Sequence, residues 1–328
     1  MSLIDSYDAG LFDLDGVVYL GPEVIPGAAE SISELRRRNI RVGFVTNNAA
    51  RTPATVAEHL TELGVEADEA DVVASSQAVA RLMAAELPAG APVLVVGTRA
   101  LAEQVTAVGL AVVNSSADNP AAVVQGYDPN MTWPRLEDAG HAIQHGARWF
   151  VSNTDQNRPT NKGLVPGAGP MVDVVRSAVD VEPTIAGKPY PPLMQETVIR
   201  LGAERPLFVG DRIDTDIMGA VGVGIDSLFV FTGAHGKQDL LTAGPDGRPT
   251  HIGHDLAAML APAREATVSE GQAVVGQATA RVVNGVVNLD GVPADREGQL
   301  DALWAVLQLV WQQEADGQAA VDQLDQVG

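Results

Sequence analysis

The sequence predicts an α/β protein with a parallel-sheet core, an inserted α/β domain and a small α+β tail. Short apolar runs alternate with helix-length patterns in the first 78 residues and again after residue 185, which is typical of parallel strands covered by helices. A second alternating series lies between them, after a joint at residues 88–92 that contains Pro and Gly. From Pro262 onward the pattern changes to paired β-like runs and one amphipathic helix.

These changes of pattern predict the domain boundaries. The core is expected to take residues 1–78 and 186–261, the inserted domain residues 79–185, and the tail residues 262–328. A chain of 328 residues with 46% hydrophobic residues is long enough to bury the cores of two domains and a small third unit.

The predicted core has elements on both sides of the insert. Its strands are expected at residues 9–12, 41–46, 72–74, 206–209, 226–231 and 250–252. Its helices are expected at residues 28–39, 53–63, 191–201, 218–222 and 255–260, and a helix at 77–87 leads away from the core. The segment between the strand at 206–209 and the helical turn at 218–222 is polar and acidic.

The insert and the tail have their own predicted elements. In the insert, strands are expected at residues 93–96, 111–113, 122–125 and 148–151, and helices at 99–108, 133–144 and 170–178. Residues 152–169 are predicted to form a long polar loop, and such loops in compact domains are usually functional or mobile. In the tail, β-like runs at 272–283 and 286–289 are joined by Asn284-Gly285, a strong hairpin signal, and a helix is expected at 299–311. So small a unit is expected to dock on the core, on a partner subunit, or on both.

Composition excludes several classes of protein. The chain has no cysteine, which excludes disulfides, thiolate metal sites and a cysteine nucleophile. Its first ten residues lack the basic and apolar segments of a secretory signal, and no apolar run approaches membrane-spanning length, so we expect a soluble, cytoplasmic protein. The net charge of −21 argues against non-specific binding to nucleic acid. An anionic substrate would need local positive charge, such as a divalent cation and a lysine.

Polar side chains follow the ends of several predicted core strands. Ligands of open parallel sheets bind outside the carboxyl ends of the strands, so these residues are candidates for one site. The candidates are Asp13, Asp15 and Gly16, then Thr46, Asn47 and Asn48, then Lys188, and finally Gly210, Asp211, Asp214 and Asp216. Two carboxylates as close as Asp13 and Asp15 repel each other unless a cation lies between them. A turn rich in Asp after a strand is the alternative explanation of that pair.

The chemistry of these residues fits phosphoryl transfer. A carboxylate can attack phosphorus and form a covalent aspartyl-phosphate, while a second carboxylate protonates the leaving oxygen and later deprotonates water. Mg²⁺ prefers oxygen ligands such as carboxylates and carbonyls. A threonine hydroxyl, backbone N–H groups and an ammonium group can bind the remaining phosphoryl oxygens.

The candidate residues form four groups along the chain, at 13–16, 46–48, 188 and 210–216. In this order the groups resemble the four motifs of the haloacid dehalogenase-like (HAD) phosphatase superfamily, whose core is a Rossmann-like parallel sheet. The position of the insert resembles the subgroup with a large (C2-type) cap, which includes p-nitrophenylphosphatase-like and phosphoglycolate phosphatase-like enzymes. With its tail included, the chain is similar to the actinobacterial glycerol-3-phosphate phosphatases, in which an acetyltransferase-like remnant follows the phosphatase. The resemblance covers roughly residues 8–260.

The resemblance implies roles for the core motifs. Asp13 would be the nucleophile, and Asp15 the general acid and base that also offers its backbone carbonyl to Mg²⁺. Thr46, Asn47 and Asn48 would bind the phosphate, and Lys188 would neutralise both the phosphate and the nucleophile.

The same resemblance assigns the acidic segment to the metal. Asp211 would be a direct Mg²⁺ ligand together with Asp13 and Asp15, and Asp216 would hold a water on the metal or support the ligands. Gly16 and Gly210 would support the turns of the site, and Asp214 would have a supporting role. In the cap, the residues at strand ends would contact the organic part of the substrate, with ordinary turns as the alternative: Tyr127, Asp128, Asn153 and Asp155.

We therefore expect a Mg²⁺-dependent phosphatase of a small phosphorylated metabolite, with glycerol 3-phosphate as the substrate that the resemblance favours. Other substrates in view are 2-phosphoglycolate, pyridoxal phosphate and nucleoside monophosphates. A binding or regulatory protein whose tail recruits a partner is an alternative of another class. A homodimer through the cap or the tail is also open. Acetyl transfer by the tail is not expected, since residues 292–298 lack a Gly-rich loop ahead of the helix.

Overall fold

The computed structural model describes residues 1–160 and 163–328, and its elements follow the alternation that the sequence predicts. The strands are β1 Ala9–Phe12, β2 Tyr19–Leu20, β3 Glu23–Val24, β4 Arg41–Thr46, β5 Val72–Ala74, β6 Pro92–Val96, β7 Ala111–Val113, β8 Ala122–Gln125, β9 Arg148–Val151, β10 Asn157–Thr160, β11 Gly163–Pro166, β12 Thr184–Ile185, β13 Pro206–Gly210, β14 Asp226–Val230, β15 His251–Gly253, β16 Thr267–Ser269, β17 Gln272–Val275, β18 Ala278–Val283 and β19 Val286–Leu289.

Helices connect most of these strands. They are α1 Ala28–Arg37, α2 Pro53–Glu62, α3 Ser75–Glu86, α4 Arg99–Ala107, α5 Trp133–Gln144, α6 Gly169–Arg176, α7 Pro191–Leu201, α8 Met218–Gly222, α9 Lys237–Leu241, α10 Arg296–Gln313 and α11 Gln318–Val321. A π-helical turn, Ile213–Ile217, leads directly into α8. None of the helices in the described part of the chain has both the length and the hydropathy needed to cross a membrane.

The described chain forms two compact units. Unit 1 contains Met1–Val42 and Ala203–Gly328, and unit 2 contains Gly43–Gly202. The finer division into core, insert and tail at residues 78, 185 and 261 stays a prediction.

Unit 1 contains a parallel sheet with strand order β15-β14-β13-β1. Its register pairs Phe12 with Val209 and Val209 with Leu228. Most of the residues in these strands are apolar, every residue of β13 is buried, and β14 is buried after its first residue, Asp226. Continuous apolar runs are typical of parallel strands that are covered on both faces. The predicted parallel α/β core is confirmed, and its strands β1 and β13 end side by side.

The tail of unit 1 is an antiparallel sheet, ordered β16-β17-β18-β19, against which α10 packs. The predicted hairpin is confirmed: Asn284 and Gly285 have φ of 53° and 79°, as a two-residue primed turn requires. One apolar cluster joins the tail to the core, since Leu303 of α10 belongs to the same cluster as Phe229 of β14 and Ile217. The expectation that the tail docks on the core is therefore met.

Unit 2 contains a five-stranded parallel sheet with order β12-β9-β8-β6-β7. Its buried strands pack against α5 and α6 in one apolar cluster. In the same unit, β4 pairs in parallel with β5, with Phe44 opposite Val72. Both sheets are parallel, as the alternation of strands and helices predicts.

Several local predictions are corrected by the structure. The predicted irregular loop at 152–169 contains an antiparallel hairpin, β10–β11, whose polar, Pro-containing sequence hides its β character. Residues 161 and 162 of that segment lie outside the described residues. The predicted strand at 272–283 is two strands, separated where Gly276 has φ of 55°. The predicted helix at 255–260 is a 3₁₀ helix, Leu256–Leu260. The short elements β2, β3, β16, α9 and α11 have no counterpart in the prediction.

Candidate active site

The predicted site residues fall into one group in each unit. Unit 1 contains Asp13, Asp15, Gly16, Gly210, Asp211, Asp214 and Asp216. Unit 2 contains Thr46, Asn47, Asn48, Lys188, Tyr127, Asp128, Asn153 and Asp155.

Three carboxylates of unit 1 come together at the carboxyl ends of β1 and β13. The N–H of Asp13 donates to the carbonyl of Val209 at 3.0 Å and continues the pairing of the two strands. Asp13, Asp211 and Asp216 each offer an oxygen, and these oxygens all lie within 4.8 Å of one another. Asp211 and Asp216 are only 2% and 1% exposed. Sequence reasoning predicts all three residues for this site.

The carboxylate of Asp216 also shapes the chain that follows β13. Its Oδ2 accepts the N–H of Asp211 at 3.2 Å and the N–H of Arg212 at 3.1 Å. The N–H of Ile217 reaches back to the carbonyl of Arg212, which widens this turn into a π-helical one. Asp216 therefore folds the acidic segment back on itself and brings its own carboxylate beside Asp211.

Three glycines leave room for these carboxylates. A Cβ on Gly210 would lie 2.3 Å from Cβ of Asp216, and a Cβ on Gly16 would lie 2.6 Å from Oδ2 of Asp211. On Gly233 it would lie 1.9 Å from the same Asp211 oxygen. Gly16 also has φ of 91°, which favours glycine. The carboxylates thus lie in a cradle that any larger residue would fill.

The donor set fits a hard divalent cation. Mg²⁺ and Ca²⁺ bind carboxylate and carbonyl oxygens, and a cation among three carboxylates removes their mutual repulsion. Asp15, whose backbone carbonyl the family resemblance assigns to the same ion, lies in the tight turn after Asp13. In that turn Gly16 N–H donates to the carbonyl of Tyr19 at 2.8 Å, and Thr232 Oγ1 donates to the carbonyl of Gly16 at 2.6 Å.

Asp214 has different surroundings from the other acidic residues. Its side chain is 53% exposed and pairs with Arg212, whose Nε and Nη2 donate to its two oxygens at 3.1 and 2.8 Å. Within the described residues, the group that could hold a metal consists of Asp13, Asp211 and Asp216, without Asp214. A supporting role for Asp214 would therefore act through Arg212.

The segment after β14 contributes contacts that sequence reasoning misses. Ala234 N–H donates to Oδ2 of Asp211 at 2.6 Å, and His235 N–H donates to the carbonyl of Asp211 at 3.3 Å. Gly233 provides the close approach described above. One signal could have found this segment: Thr232-Gly233 also follows a buried parallel strand, and so lies at the edge where ligands of such sheets bind.

Asn47 is the centre of the group in unit 2. Its Oδ1 accepts the N–H of Lys188 at 2.8 Å, and its Nδ2 donates to the carbonyl of Lys188 at 3.0 Å. Nδ2 also donates to Oδ1 of Asp155 at 2.9 Å. The carbonyl of Asn47 accepts Ser75 Oγ at 2.5 Å and Asn153 Nδ2 at 2.7 Å. Asn47 thus fixes the backbone at Lys188, whose side chain is 3% exposed.

Thr46 and Asn48 stabilise the loop around Asn47. The N–H of Asn48 donates to Oγ1 of Thr46 at 3.1 Å, and Asn48 Oδ1 accepts the N–H of Ala50 at 2.9 Å. Gly187 lets the chain approach this loop, because a Cβ there would lie 2.7 Å from Oδ1 of Asn47. The loop is therefore held by its own side chains, with its N–H groups at the carboxyl end of β4.

The four predicted cap residues divide into two kinds. Asn153 and Asp155 bond to Asn47, so they contribute to the position of that residue. Tyr127 accepts a hydrogen bond from Arg158 at 3.0 Å, and the Arg158 guanidinium lies 5.0 Å from the centre of the Tyr127 ring. Asp128 caps a turn by accepting the N–H of Asn130 at 2.8 Å, which is the ordinary turn chemistry held as the alternative.

Comparison with protein-family models agrees with this geometry. A model described as haloacid dehalogenase-like hydrolase matches residues 10–111, which contain Asp13, Asp15 and Asn47. A second model, described as HAD-hydrolase-like, matches residues 185–259, which contain Lys188 and Asp211.

Individual relatives are phosphatases. The chain is 47% identical over 258 residues to a D-glycerol 3-phosphate phosphatase of Mycobacterium tuberculosis, covering 79% of this chain and 72% of the relative. It is 37% identical over 237 residues to an acid sugar phosphatase of Staphylococcus saprophyticus, covering 72% of this chain and 90% of the relative.

Solved structures of similar proteins have the same fold. The crystal structure of a glycerol phosphate phosphatase of M. tuberculosis in complex with magnesium matches with a TM-score of 0.84 at 41% identity, covering 94% of this chain and 92% of that one. A thermostable NPPase of Geobacillus stearothermophilus matches with a TM-score of 0.70 at 31% identity, covering 78% of this chain and 98% of that one. The predicted fold class is confirmed by these matches.

Gly233→Ala is expected to weaken Mg²⁺ binding at least about tenfold, because the new Cβ displaces the Asp211 carboxylate. Isothermal titration calorimetry with Mg²⁺ measures the change. Gly222→Ala is the matched control, since a Cβ there meets nothing within 4 Å, and it should bind Mg²⁺ as the wild type does. Equal affinities for both variants would show that the glycine cradle does not shape the metal site.

Asp155→Ala removes the charged hydrogen-bond partner of Asn47. The Asn47 side chain is then expected to be more mobile and to hold the backbone of Lys188 less firmly. Hydrogen exchange of the Lys188 amide should accelerate roughly tenfold, since a hydrogen bond to a charged group contributes about 1.5–3 kcal/mol. Asp128→Ala, which removes only a turn contact, is the control. An unchanged Lys188 amide in Asp155→Ala would contradict this role for Asp155.

Proposed function

Because this chain belongs to the haloacid dehalogenase-like hydrolases and is a phosphatase, we propose that it hydrolyses glycerol 3-phosphate to glycerol and phosphate in a Mg²⁺-dependent reaction. The observation that carries the proposed chemistry is the group of three carboxylates, Asp13, Asp211 and Asp216, within 4.8 Å of one another at the ends of parallel strands. The substrate is proposed from the 47% identity to a D-glycerol 3-phosphate phosphatase.

In the proposed reaction Asp13 is the nucleophile. A carboxylate oxygen of Asp13 attacks phosphorus, the bond from phosphorus to the ester oxygen breaks, and Asp15 protonates the leaving alkoxide. Asp15 then takes a proton from water, and the water oxygen attacks the aspartyl-phosphate. Inorganic phosphate leaves and the Asp13 carboxylate is restored. Splitting the displacement in this way replaces one difficult step with two easier ones.

Asp13, Asp211 and the backbone carbonyl of Asp15 would hold the cation, with Asp216 beside them. Mg²⁺ supplies charge neutralisation between the nucleophile and the phosphoryl oxygens when it is bound. In addition, Asp216 holds the backbone of Asp211 through its hydrogen bonds to two N–H groups, which limits the positions that the Asp211 carboxylate can take.

Binding of the phosphate is proposed for Thr46, Asn47, Asn48 and Lys188. The chain carries a net charge of −21, so the mean field repels an anionic ester and local positive charge is required. Lys188 is the cation of this group. Its backbone is held by Asn47 at both the N–H and the carbonyl, and the residue is almost fully buried, so the ammonium has little conformational freedom to lose when it binds phosphate.

The second candidate substrate class is sugar phosphates, which the 37% identity to an acid sugar phosphatase supports. The reacting phosphate is common to both classes, so selectivity depends on the organic part.

Phosphorylated metabolites of either class are retained inside cells, and we expect the enzyme to act in the cytoplasm. Self-association as a homodimer, through the predicted cap or through the tail, belongs to the same proposal.

Asp13→Asn is expected to reduce turnover about 10³-fold or more while leaving the fold intact, because it keeps the shape of the side chain and removes the nucleophilic charge. Turnover is measured as phosphate release, and acid-quenched wild-type enzyme should show a phosphorylated Asp13 peptide by mass spectrometry. Asp180→Asn, on an exposed residue of unit 2, is the control for loss of one acidic charge. Near wild-type turnover in Asp13→Asn would exclude the proposed nucleophile.

A panel of phosphate esters with added Mg²⁺ tests the proposed substrate. We expect the highest kcat/KM for glycerol 3-phosphate, lower values for sugar phosphates, 2-phosphoglycolate, pyridoxal phosphate and nucleoside monophosphates, and loss of all activity in EDTA that excess Mg²⁺ restores. A higher kcat/KM for a sugar phosphate would replace the proposed substrate by the second candidate. Activity that persists in EDTA would contradict the metal-dependent reaction.

A further inference from the structure

The turn at residues 211–217, which contains two of the three clustered carboxylates, has the N–H groups of its first three residues bonded to side-chain acceptors. The N–H groups of Asp211 and Arg212 are both accepted by Asp216, at 3.2 and 3.1 Å. The next N–H, that of Ile213, is accepted by Nδ1 of His235 at 2.9 Å. These three N–H groups precede the first hydrogen bonds of the π-helical turn, so side chains satisfy them as caps do at a helix start. His235 completes what Asp216 begins.

His235 is linked to the same turn at a second point. Its own N–H donates to the carbonyl of Asp211 at 3.3 Å, while its ring accepts the N–H of Ile213. The residue before it, Ala234, donates its N–H to the Asp211 carboxylate at 2.6 Å. The carboxylate and the carbonyl of Asp211, and the N–H of Ile213, are therefore all bonded to one short segment. Rotation of the Asp211 carboxylate away from Asp13 and Asp216 would have to break the bond from Ala234.

The tautomer of the His235 ring follows from its hydrogen bond to Ile213. Nδ1 accepts an N–H and must carry no proton, so the ring proton lies on Nε2. Nε2 lies 3.9 Å from Oδ1 of Asp214, a carboxylate that Arg212 already holds through two hydrogen bonds. Asp214 and Arg212 thus border the far side of the ring. This arrangement gives the half-buried Arg212 and the exposed Asp214 a place in the support of the site.

The segment that carries His235 is itself anchored at both ends. On one side, Thr232 donates its hydroxyl to the carbonyl of Gly16 at 2.6 Å. On the other side, α9 begins at Lys237, whose N–H donates to the carbonyl of Gly328 at 3.0 Å and whose ammonium donates to the carbonyl of Leu324. Because this short segment is fixed at both ends, His235 presents its acceptor at a defined position.

We propose that His235 is a positioning residue for the Mg²⁺ site, acting through its Nδ1 acceptor on Ile213 to hold Asp211 in the geometry that binds the cation. The inference rests on the proposed Mg²⁺-dependent reaction, since it concerns the same ion. His235 touches neither the substrate nor the reacting atoms in this assignment. Its contribution is to the affinity for Mg²⁺, and it should be overcome by high Mg²⁺ concentration.

The test compares substitutions that remove the acceptor with one that keeps it. His235→Leu fills the space of the ring without an acceptor, and His235→Asn offers Oδ1 near the position of Nδ1. Mg²⁺ binding is measured by titration calorimetry. We expect His235→Leu to weaken Mg²⁺ binding about tenfold, with faster hydrogen exchange of the Ile213 amide, and His235→Asn to restore most of both. His141→Leu, on an exposed helix face of unit 2, should change neither.

The kinetic readout separates positioning from catalysis. In His235→Leu the Mg²⁺ concentration for half-maximal activity should rise about tenfold, while kcat at saturating Mg²⁺ stays within about twofold of the wild type. Wild-type Mg²⁺ affinity in His235→Leu would overturn the proposal, and so would binding in His235→Asn as weak as in His235→Leu. If His235→Leu is too unstable to purify, His235→Ala provides the same comparison. Failure of the proposed function would appear differently, as a wild-type protein that binds Mg²⁺ but releases no phosphate.

Discussion

The mutual repulsion of Asp13, Asp211 and Asp216 is the interaction on which the rest of this site depends. Carboxylate oxygens within 4.8 Å of one another repel by about 3–4 kcal/mol per pair at an effective dielectric constant near 20. Two of the three side chains are almost fully buried, so water cannot screen them well. A fold can keep such a group only with a compensating cation or with many hydrogen bonds from N–H groups. Here backbone N–H groups bond to the carboxylates, and the carboxylate oxygens are also suited to bind a cation. The folded protein is therefore less stable than it would be with apolar residues in place of these carboxylates, and such a cost in stability is common at functional sites.

The hydrogen bonds explain how the surrounding chain accommodates the carboxylates. Asp216 accepts two backbone N–H groups, and Asp211 accepts the N–H of Ala234. Glycine at positions 16, 210 and 233 removes the atoms that would otherwise occupy the space of the carboxylates. The same principle operates in unit 2, where Asn47 uses its amide to satisfy both backbone groups of Lys188. In each unit, a side chain that hydrogen-bonds to backbone fixes the position of a charged group.

The fold, and the grouping of Asp13, Asp211 and Asp216 at one edge of the sheet, could be predicted from the sequence, because buried parallel strands and strand-end acids leave patterns that are local in the chain. The contacts of the segment after β14 could not, since Gly233 and His235 meet residues more than 20 positions away in the chain. The grouping of Asn153 and Asp155 around Asn47 spans more than 100 positions, whereas the sequence predicts these two residues as substrate contacts or as ordinary turn residues. The hairpin β10–β11 was missed because its strands are polar and contain Pro, so they lack the apolar alternation by which strands are recognised.

The tail illustrates how a segment outside the four motifs can still bear on the site. The middle of helix α10 is buried, from Gln299 to Leu309. Its apolar residues belong to one cluster with Ile213 and Ile217 of the π-helical turn. Each fully buried leucine of this helix contributes about 1.5–3 kcal/mol by leaving water. The apolar surface of the tail is thus used to complete the core of unit 1, and Leu324 and Gly328 accept hydrogen bonds from Lys237 at the start of α9. A tail whose main purpose was to recruit a partner would keep its apolar face available, so this packing favours a structural role. The π-helical turn Ile213–Ile217 is therefore bonded to His235 on one side and packed in the apolar cluster that the tail completes on another.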